Sequence, residues 1–421
     1  MTTATTTTPP LTMHYRRKRH STLPHVVKFS GGRSSAALTF MMARSGLLQP
    51  DRGDIVLFAN TSAEHPGTYA FAAECKRRLE QDFGLPFFWY EFCTVETASR
   101  GAYVRKLSYR LVKPVPIEED PQGYHSHGEV FEEMLSYQGM LPNPHSRSCT
   151  AKLKLYPSHL LLAEWLGTGP GPTHAGHHAN QAFVTPEHAA GRYVSNRGTA
   201  SIEDYMRRVM FMTTQPHARP AQLWQDYTSA PIQRGPASAR VHRAEMWGQC
   251  AAEFVALLGL RADERKRVDR ILTRSLFAEG AGGTQCSIRT QPPGEHPYFP
   301  LDDAGLTSDE ILAFWRDEDF DLAIPSKSGN CVFCFMKGTE ILKQAVQETD
   351  PDRVLGAPSD ISWWVDMEQR YRREVPARTG RGISQFGFLG VSGPSFAEVA
   401  NGTASRRSRY ATGAVACDCT D

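Results

Sequence analysis

Six residues, Ser30, Gly31, Gly32, Arg33, Ser34 and Ser35, stand between an apolar run, His25 to Phe29, and a stretch of helical periodicity ended by Gly46. A strand that enters a glycine-bearing turn and then a helix aims unpaired backbone N–H groups and the positive end of the helix dipole at one place, which suits an anion. Gly31 and Gly32 let the main chain approach a phosphate with no β-carbon in the way, and Ser30, Ser34 and Ser35 add hydroxyl donors. An ordinary strand-to-helix turn uses the same residue types, so the loop alone leaves both readings open. It has neither the lysine of the common phosphate loop nor the G-x-G-x-x-G of dinucleotide folds.

Sulfur is the second chemical resource. Nine cysteines are an odd number and too few for a secreted disulfide scaffold. That fits a reducing cytoplasm, where grouped thiols serve metals or catalysis. Cys331 and Cys334 have the C-x-x-C spacing that puts two thiolates on one metal, with redox reactivity and buried packing as the alternatives. Cys149 stands between Arg147 and Lys152, a basic setting that favours the thiolate. Cys417 and Cys419 close the chain. These five are the candidates for a 4Fe-4S site, which takes four soft thiolates. Cys75, Cys93, Cys250 and Cys286 read as structural or free thiols. His174, His177 and His178 lie in a loop tract without nearby cysteine or carboxylate and read as solvent-exposed sequence.

The elements that must position these groups follow from periodicity. Apolar runs at 25–29, 54–60 and 86–92 alternate with helical stretches closed by Gly46 and Gly84, which is the pattern of a parallel sheet with crossover helices. The expected organisation is a disordered, Thr/Pro-rich then basic tail (1–24), a nucleotide-binding α/β domain (25–165), and an irregular insertion rich in Gly, Pro, His and Arg (166–250). The remainder of the core with the C-x-x-C pair (251–345) and a helical C-terminal region with the cysteine tail (346–421) complete it. Thr61 or Ser62 reads as the cap of the second helix with Glu64 in its first turn, and His65 as a polar helix-start residue. The segment 382–390, "GISQFGFLG", offers no site logic. With 47 basic against 45 acidic residues, the formal charge of +2 gives no global field for a nucleic-acid coat. Basic clusters at 16–19, 152–154, 261–270 and 405–409 leave a nucleic-acid surface as an alternative to solvated faces. Neither a signal peptide nor a membrane span is expected.

Ser30 to Ser35 resembles the pyrophosphate loop, Ser-Gly-Gly-x-Asp/Ser/Thr-Ser, of the ATP-pyrophosphatase and phosphoadenosine phosphosulfate reductase (PP-loop) superfamily. Further stretches resemble that family in the same order: "FANTSAEHPGTYAF" its second adenosine-contacting segment, "SCTAKLKLYP" its Cys-bearing segment, and "GLRADERKR" and "FDLAIPSKSGNCVFCFMKG" its later arginine and Cys-x-x-Cys segments. The likeness covers roughly 25–165 and 251–345.

The resemblance implies a five-stranded parallel sheet with helices on both faces, holding ATP or a sulfated adenylate with Mg2+. It assigns Ser30, Gly31, Gly32, Arg33, Ser34, Ser35, Asn60, Thr61 and Glu64 to the nucleotide. Arg261 neutralises charge on the leaving group, and Asp263 or Glu264 stands near the Mg2+. Cys149, Cys331 and Cys334 hold a 4Fe-4S cluster whose fourth position is either taken by Cys417 or Cys419 or left open. Two departures stand out: Ser34 replaces the aspartate of many ATP-splitting members, and Ser148-Cys149 replaces the Cys-Cys pair of cluster-bearing adenylylsulfate reductases. The implied activity is ATP-dependent activation with sulfur transfer, drawing on a sulfur donor and on the cluster or a persulfide at Cys149, Cys417 or Cys419. The alternatives are reduction of adenylyl sulfate or phosphoadenylyl sulfate to sulfite with a thioredoxin-like reductant, for which the Glu-Cys-Gly segment is missing, and a nucleotide- and cluster-binding regulator or defence component without turnover.

Overall fold

A computed structural model of the 421-residue chain describes residues 10–99, 102–138, 140–144, 147–166, 182–183, 224–232, 241–244, 249–280, 294–325, 327–376, 383–391 and 393–404. In chain order it contains β1 (His25–Phe29), α1 (Arg33–Arg44), β2 (Ile55–Asn60), α2 (Pro66–Phe83), β3 (Phe87–Ser99), β4 (Ala102–Pro116), β5 (Gly123–Tyr124), α3 (Glu129–Gln138) and α4 (Tyr156–Leu166). There follow β6 (Ala182–Phe183), β7 (Val241–Ala244), β8 (Gln249–Ala252), β9 (Phe254–Leu257), α5 (Arg265–Gly280), β10 (Glu295–Tyr298), α6 (Pro300–Asp303) and α7 (Ser308–Asp317). The last elements are α8 (Thr339–Gln347), α9 (Ile361–Tyr371), β11 (Arg373–Pro376), β12 (Ile383–Gly387), β13 (Gly390–Val391) and α10 (Phe396–Ala400).

The apolar runs become strands because both of their faces are covered. Val26, Ile55, Leu57, Phe88 and Tyr90 enter one core cluster, while the intervening Val27, Val56, Phe58, Phe87 and Trp89 enter another on the opposite face. Near-continuous rather than alternating hydrophobicity is what a parallel strand between two helical layers requires. The chain is therefore α/β, with a mostly parallel sheet flanked by helices. Strand order is β10-β9-β1-β2-β3-β4-β5, with β6 paired to β4. The expectation of five strands is corrected to seven along this path. β10, β9, β1, β2 and β3 run parallel, and β3 then turns back into the antiparallel β4. Arg105, Lys106, Arg110 and Lys113 interrupt the apolar pattern of β4 and hide it in the sequence.

Residues 10–24, expected as a disordered tail, are packed on the sheet edge. Leu11 is buried, the Arg16 guanidinium lies 4.3 Å over the Tyr298 ring, and the His20 Nδ1 is 2.8 Å from the Tyr298 hydroxyl. Within the expected insertion, Trp224 packs edge-on against Phe88 and Trp165, and Lys76 donates to the Tyr227 carbonyl. His174, His177 and His178 lie outside the described residues, as do Cys286, Cys417, Cys419 and the basic cluster at 405–409. The C-terminal region adds an antiparallel sheet, β11-β12-β13, to its helices. "GISQFGFLG" thereby gains a structural role: the Glu368 carboxylate accepts from Phe388 N and Phe396 N, tying the β12 turn to α9 and α10. Among the described residues no helix is long and apolar enough to cross a membrane.

His25 opens β1 fully buried. Its Nδ1 donates to the Leu23 carbonyl at 2.8 Å, so Nε2 accepts from the Tyr15 hydroxyl at 2.8 Å and the ring is neutral. Burial pulls its pKa down to about 4, against a smaller opposing pull from Asp54. Unfolding must then take up a proton between pH 6.5 and 4, so this group's contribution to stability is whole above pH 6.5 and is lost as the pH falls toward 4, by roughly 3 kcal/mol. Urea denaturation across that range should show the loss, with a shallower slope for His25→Gln; an equal slope in the variant would remove His25 as its source.

Candidate functional site

β1 is where the chain changes direction across the sheet. β2 and β3 follow on one side and β9 and β10 on the other, so the loops after β1 and β9 part and leave a crevice at the carboxyl ends of the strands. Two glycines bring backbones together there. A β-carbon on Gly31, whose φ is +81°, would stand 2.7 Å from Thr68 Cγ2; one on Gly259, after β9, would stand 2.8 Å from Ser35 Cα and 2.9 Å from Ser35 N. α1 starts at Arg33 with Gly32 as its N-cap and no side chain capping it, so its first amides face the crevice. Ser35 Oγ instead accepts from Ser30 N and donates to Gly32 O, both at 3.0 Å, which fixes the curl of the loop.

The resulting cleft, about 270 Å3, is lined by Ser30, Gly31, Gly32, Arg33, Ser34 and Ser35 together with Thr68, Gly259, Arg261 and Glu264. An apolar wall from α7 and the segment after it, including Leu312 and Ile324, faces this polar floor. Arg261 Nη1 donates to Ser34 Oγ at 2.7 Å and its Nε to Asp263 at 3.0 Å. Ser34 thus meets the Arg261 guanidinium with a neutral hydroxyl. Arg33 turns its guanidinium to Asp321 (2.7 and 2.9 Å) and to the Leu322 carbonyl (2.5 Å).

A second cavity, about 20 Å3, is lined by Cys149, Cys331 and Cys334 with Thr61, Phe131, Leu153, Lys154 and Trp364. Residues 182 positions apart in the sequence meet there. Cys149 precedes a π-helical turn, Thr150–Leu155, that runs into α4; such turns are rare and concentrate at functional sites. Cys331 is held to the β2–α2 turn by a bridge to Glu64, by Val332 N donating to Ala63 O at 3.3 Å, and by Thr61 Oγ1 at 3.6 Å from its sulfur. Lys337 Nζ closes the loop on the Lys327 and Val332 carbonyls. The groups of three acid, imidazole or thiol side chains within 4.8 Å of one another, among the described residues, are His65 with Asp350 and Asp352, and Glu118 with His127 and Glu129. The three thiols are spread more widely. Four sulfurs around one zinc, each about 2.3 Å from it, would stand only about 3.8 Å apart.

A third cavity, about 50 Å3, lies between the two, sharing Ser30 with the cleft and Lys154 with the thiol cavity. It holds Lys28, Tyr90, Ser158 and Glu295. Lys28 Nζ is 3.3 Å from Ser158 Oγ, and Glu295 Oε2 is 3.2 Å from His159 Nε2. Burial lowers the Lys28 pKa and raises that of Glu295, each partly offset by the other's charge. Beside the thiols, burial brings Lys152 down to about 8, with its Nζ 5.1 Å from the Tyr137 ring.

The structure therefore gathers the loop residues with Arg261, and Cys149 with Cys331 and Cys334. Asn60 and Glu64 line none of these cavities. Asn60 Nδ2 donates to Glu91 and to the His125 carbonyl, each at 2.7 Å, and Glu64 accepts from Thr61 Oγ1, Thr61 N, Ala63 N and Tyr69. The expected cap is also redistributed. His65 Nδ1 caps α2 by accepting from Gly67 N, and Ser62 Oγ, at φ +56°, accepts from Val130 N at the start of α3. Lys28, Lys154, Ser158 and Glu295 carry no single local motif, since they come from three separate parts of the chain: β1, the helical segment 150–166 and β10.

No family model matches the chain, and no solved structure matches it significantly. Over 97 residues it is 29% identical to the uncharacterized nin region protein ORF290 of Escherichia phage lambda. That stretch is 23% of this chain and 26% of that protein, so the chain spans about a quarter of the relative's length.

Gly259→Ala should drive the loop after β9 off the first turn of α1, because its new carbon meets backbone rather than a movable side chain. The expected cost is about 1–3 kcal/mol in chemical denaturation, together with loss of pyrophosphate binding by calorimetry. Unchanged binding would mean that the close approach does not shape the cleft.

Proposed function

We propose that the chain is an adenine-nucleotide enzyme of sulfur metabolism that activates an acceptor with ATP and delivers sulfur from an iron–sulfur centre. One observation carries the reading: the phosphate-type loop with Arg261, and the three cysteines, line neighbouring cavities, with a third between them that shares a lining residue with each. In this account the amides at the start of α1 and the hydroxyls of Ser30 and Ser34 hold the phosphate chain. Arg261 offsets the charge that grows on the leaving pyrophosphate. With Mg2+, Glu264 and Asp263 are the carboxylates at hand.

Donor chemistry is what favours a cluster: three soft thiols line one cavity. Cys149, Cys331 and Cys334 would hold it, leaving one position for a further ligand. When bound, the centre supplies electrons or a labile sulfur. The chain's own part is to fix the nucleotide on one side of Lys154 and the thiols on the other, in a setting walled from water by Phe131, Leu153 and Trp364.

Anaerobic incubation with iron and sulfide, followed by ATP, is the test. Bound iron with pyrophosphate or AMP release is expected, with iron lost in Cys331→Ser and turnover slowed about 10²- to 10³-fold in Arg261→Ala. Release of sulfite from adenylyl sulfate in place of ATP turnover would replace this reading with a reductase, and binding without release of either product would leave a nucleotide-binding regulator.

A further inference from the structure

Arg33, which the loop resemblance assigns to the nucleotide, lines the cleft, yet its guanidinium is occupied by protein groups. It is engaged by Asp321 in a two-pronged pair and by the Leu322 carbonyl. The backbone of Arg33 is held independently, since Trp315 Nε1 donates to its carbonyl at 3.0 Å. The segment that carries Asp321 is fixed just before it. Arg44 grips Glu318 (2.6 and 2.8 Å), Arg78 grips Asp319 (2.6 and 3.0 Å), and Phe320 is wedged against Trp315 and Phe71. Beyond Asp321, Leu322, Ile324 and Pro325 form the cleft's apolar wall, and the chain then reaches Asn330 and the thiol loop. Asp321 is thus the last anchor before the wall.

We infer that Arg33 and Asp321 form an exchangeable latch, in which a phosphate chain entering the cleft takes the Arg33 guanidinium from Asp321 and releases the wall segment 321–325. The inference rests on the cleft binding a phosphate chain. Both partners are part-exposed, at 32% and 41% of their side chains, so solvent screens the pair. A phosphate chain offers the guanidinium the same two parallel hydrogen bonds with more negative charge than a single carboxylate, which favours the exchange. Asp321 also keeps Arg33 folded back while the cleft is empty, competing with every anion that enters.

The two residues therefore act with opposite sign, which a brace would not do. Calorimetric titration of the full chain with pyrophosphate should show weaker binding in Arg33→Ala by about tenfold and tighter binding in Asp321→Asn by about fivefold. In the double variant the Asp321→Asn gain should vanish. Asp321→Glu, which keeps the charge, should stay near the wild-type value, and thermal denaturation checks that each variant is folded. Hydrogen exchange in 321–325 should rise when pyrophosphate is added to the wild type and stay constant in Arg33→Ala. Weaker binding in Asp321→Asn makes the pair a brace and overturns the latch; so does an equal gain in the Arg33→Ala background, which would be plain repulsion. In either case wild-type binding leaves the nucleotide reading standing, whereas a wild type that binds neither pyrophosphate nor ATP defeats both.

Discussion

Where β1 and β9 end, two backbones approach until no side chain fits between them, and the rest of the site is arranged around that contact. Gly259 against Ser35 sets how far Arg261, two residues on, stands from Ser34. Gly31 against Thr68 sets the pitch at which the loop enters α1. The reversal of strand order at β1 places these loops at the carboxyl ends of adjoining strands, and α1 begins there with no side-chain cap. A helix start left uncapped in this way is stable only when solvent or an anion supplies the missing acceptors.

The turn between β2 and α2 does a different job from the loop beside it. Its polar residues are buried and spent on one another. Glu64 accepts from four groups, Asn60 reaches the Glu91–Arg110–His125 cluster, and Ser62 starts α3. Satisfied buried networks of this kind rigidify what they touch. What this one touches is Cys331, through Glu64 and Thr61, and Phe131, through α3. The strand end next to the phosphate-type loop thereby becomes the mount for the thiol loop, and one rigid sheet edge sets the spacing between the two chemistries.

Much of this frame was legible in the sequence, for a physical reason. Parallel strands buried on both faces write continuous apolar runs, and Gly31, Gly46 and Gly84, all at positive φ, mark turns that few other residues can make. The C-x-x-C pair is local and visible. What escaped notice was non-local or masked by charge. β4 carries cations among its apolar residues, and one of them, Arg110, is held by Glu91 on the neighbouring strand. The tail is Thr/Pro-rich and basic at 1–24, yet Arg16 and His20 find Tyr298 some 280 positions away. Asn60 and Glu64 had the right types and place for a ligand, but nothing in a linear pattern distinguishes a side chain aimed at a ligand from one aimed at its own turn. The middle cavity draws Lys28, Ser158 and Glu295 from separate parts of the chain, which no one linear pattern joins.

That middle cavity is the hardest part of the structure to explain by stability alone. Lys28 lies on β1, where its neighbours Val27 and Phe29 are apolar, and its ammonium faces Ser158 beside the carboxylate of Glu295. Withdrawing an amine and a carboxyl group from water is costly, and apolar residues of similar volume would serve a purely structural core at least as well. The opposite pKa displacements of Lys28 and Glu295 are the signature of that cost. Ionisable groups kept at that cost, in a cavity that shares one lining residue with the loop cleft and one with the thiol cavity, are candidates for contact with a ligand.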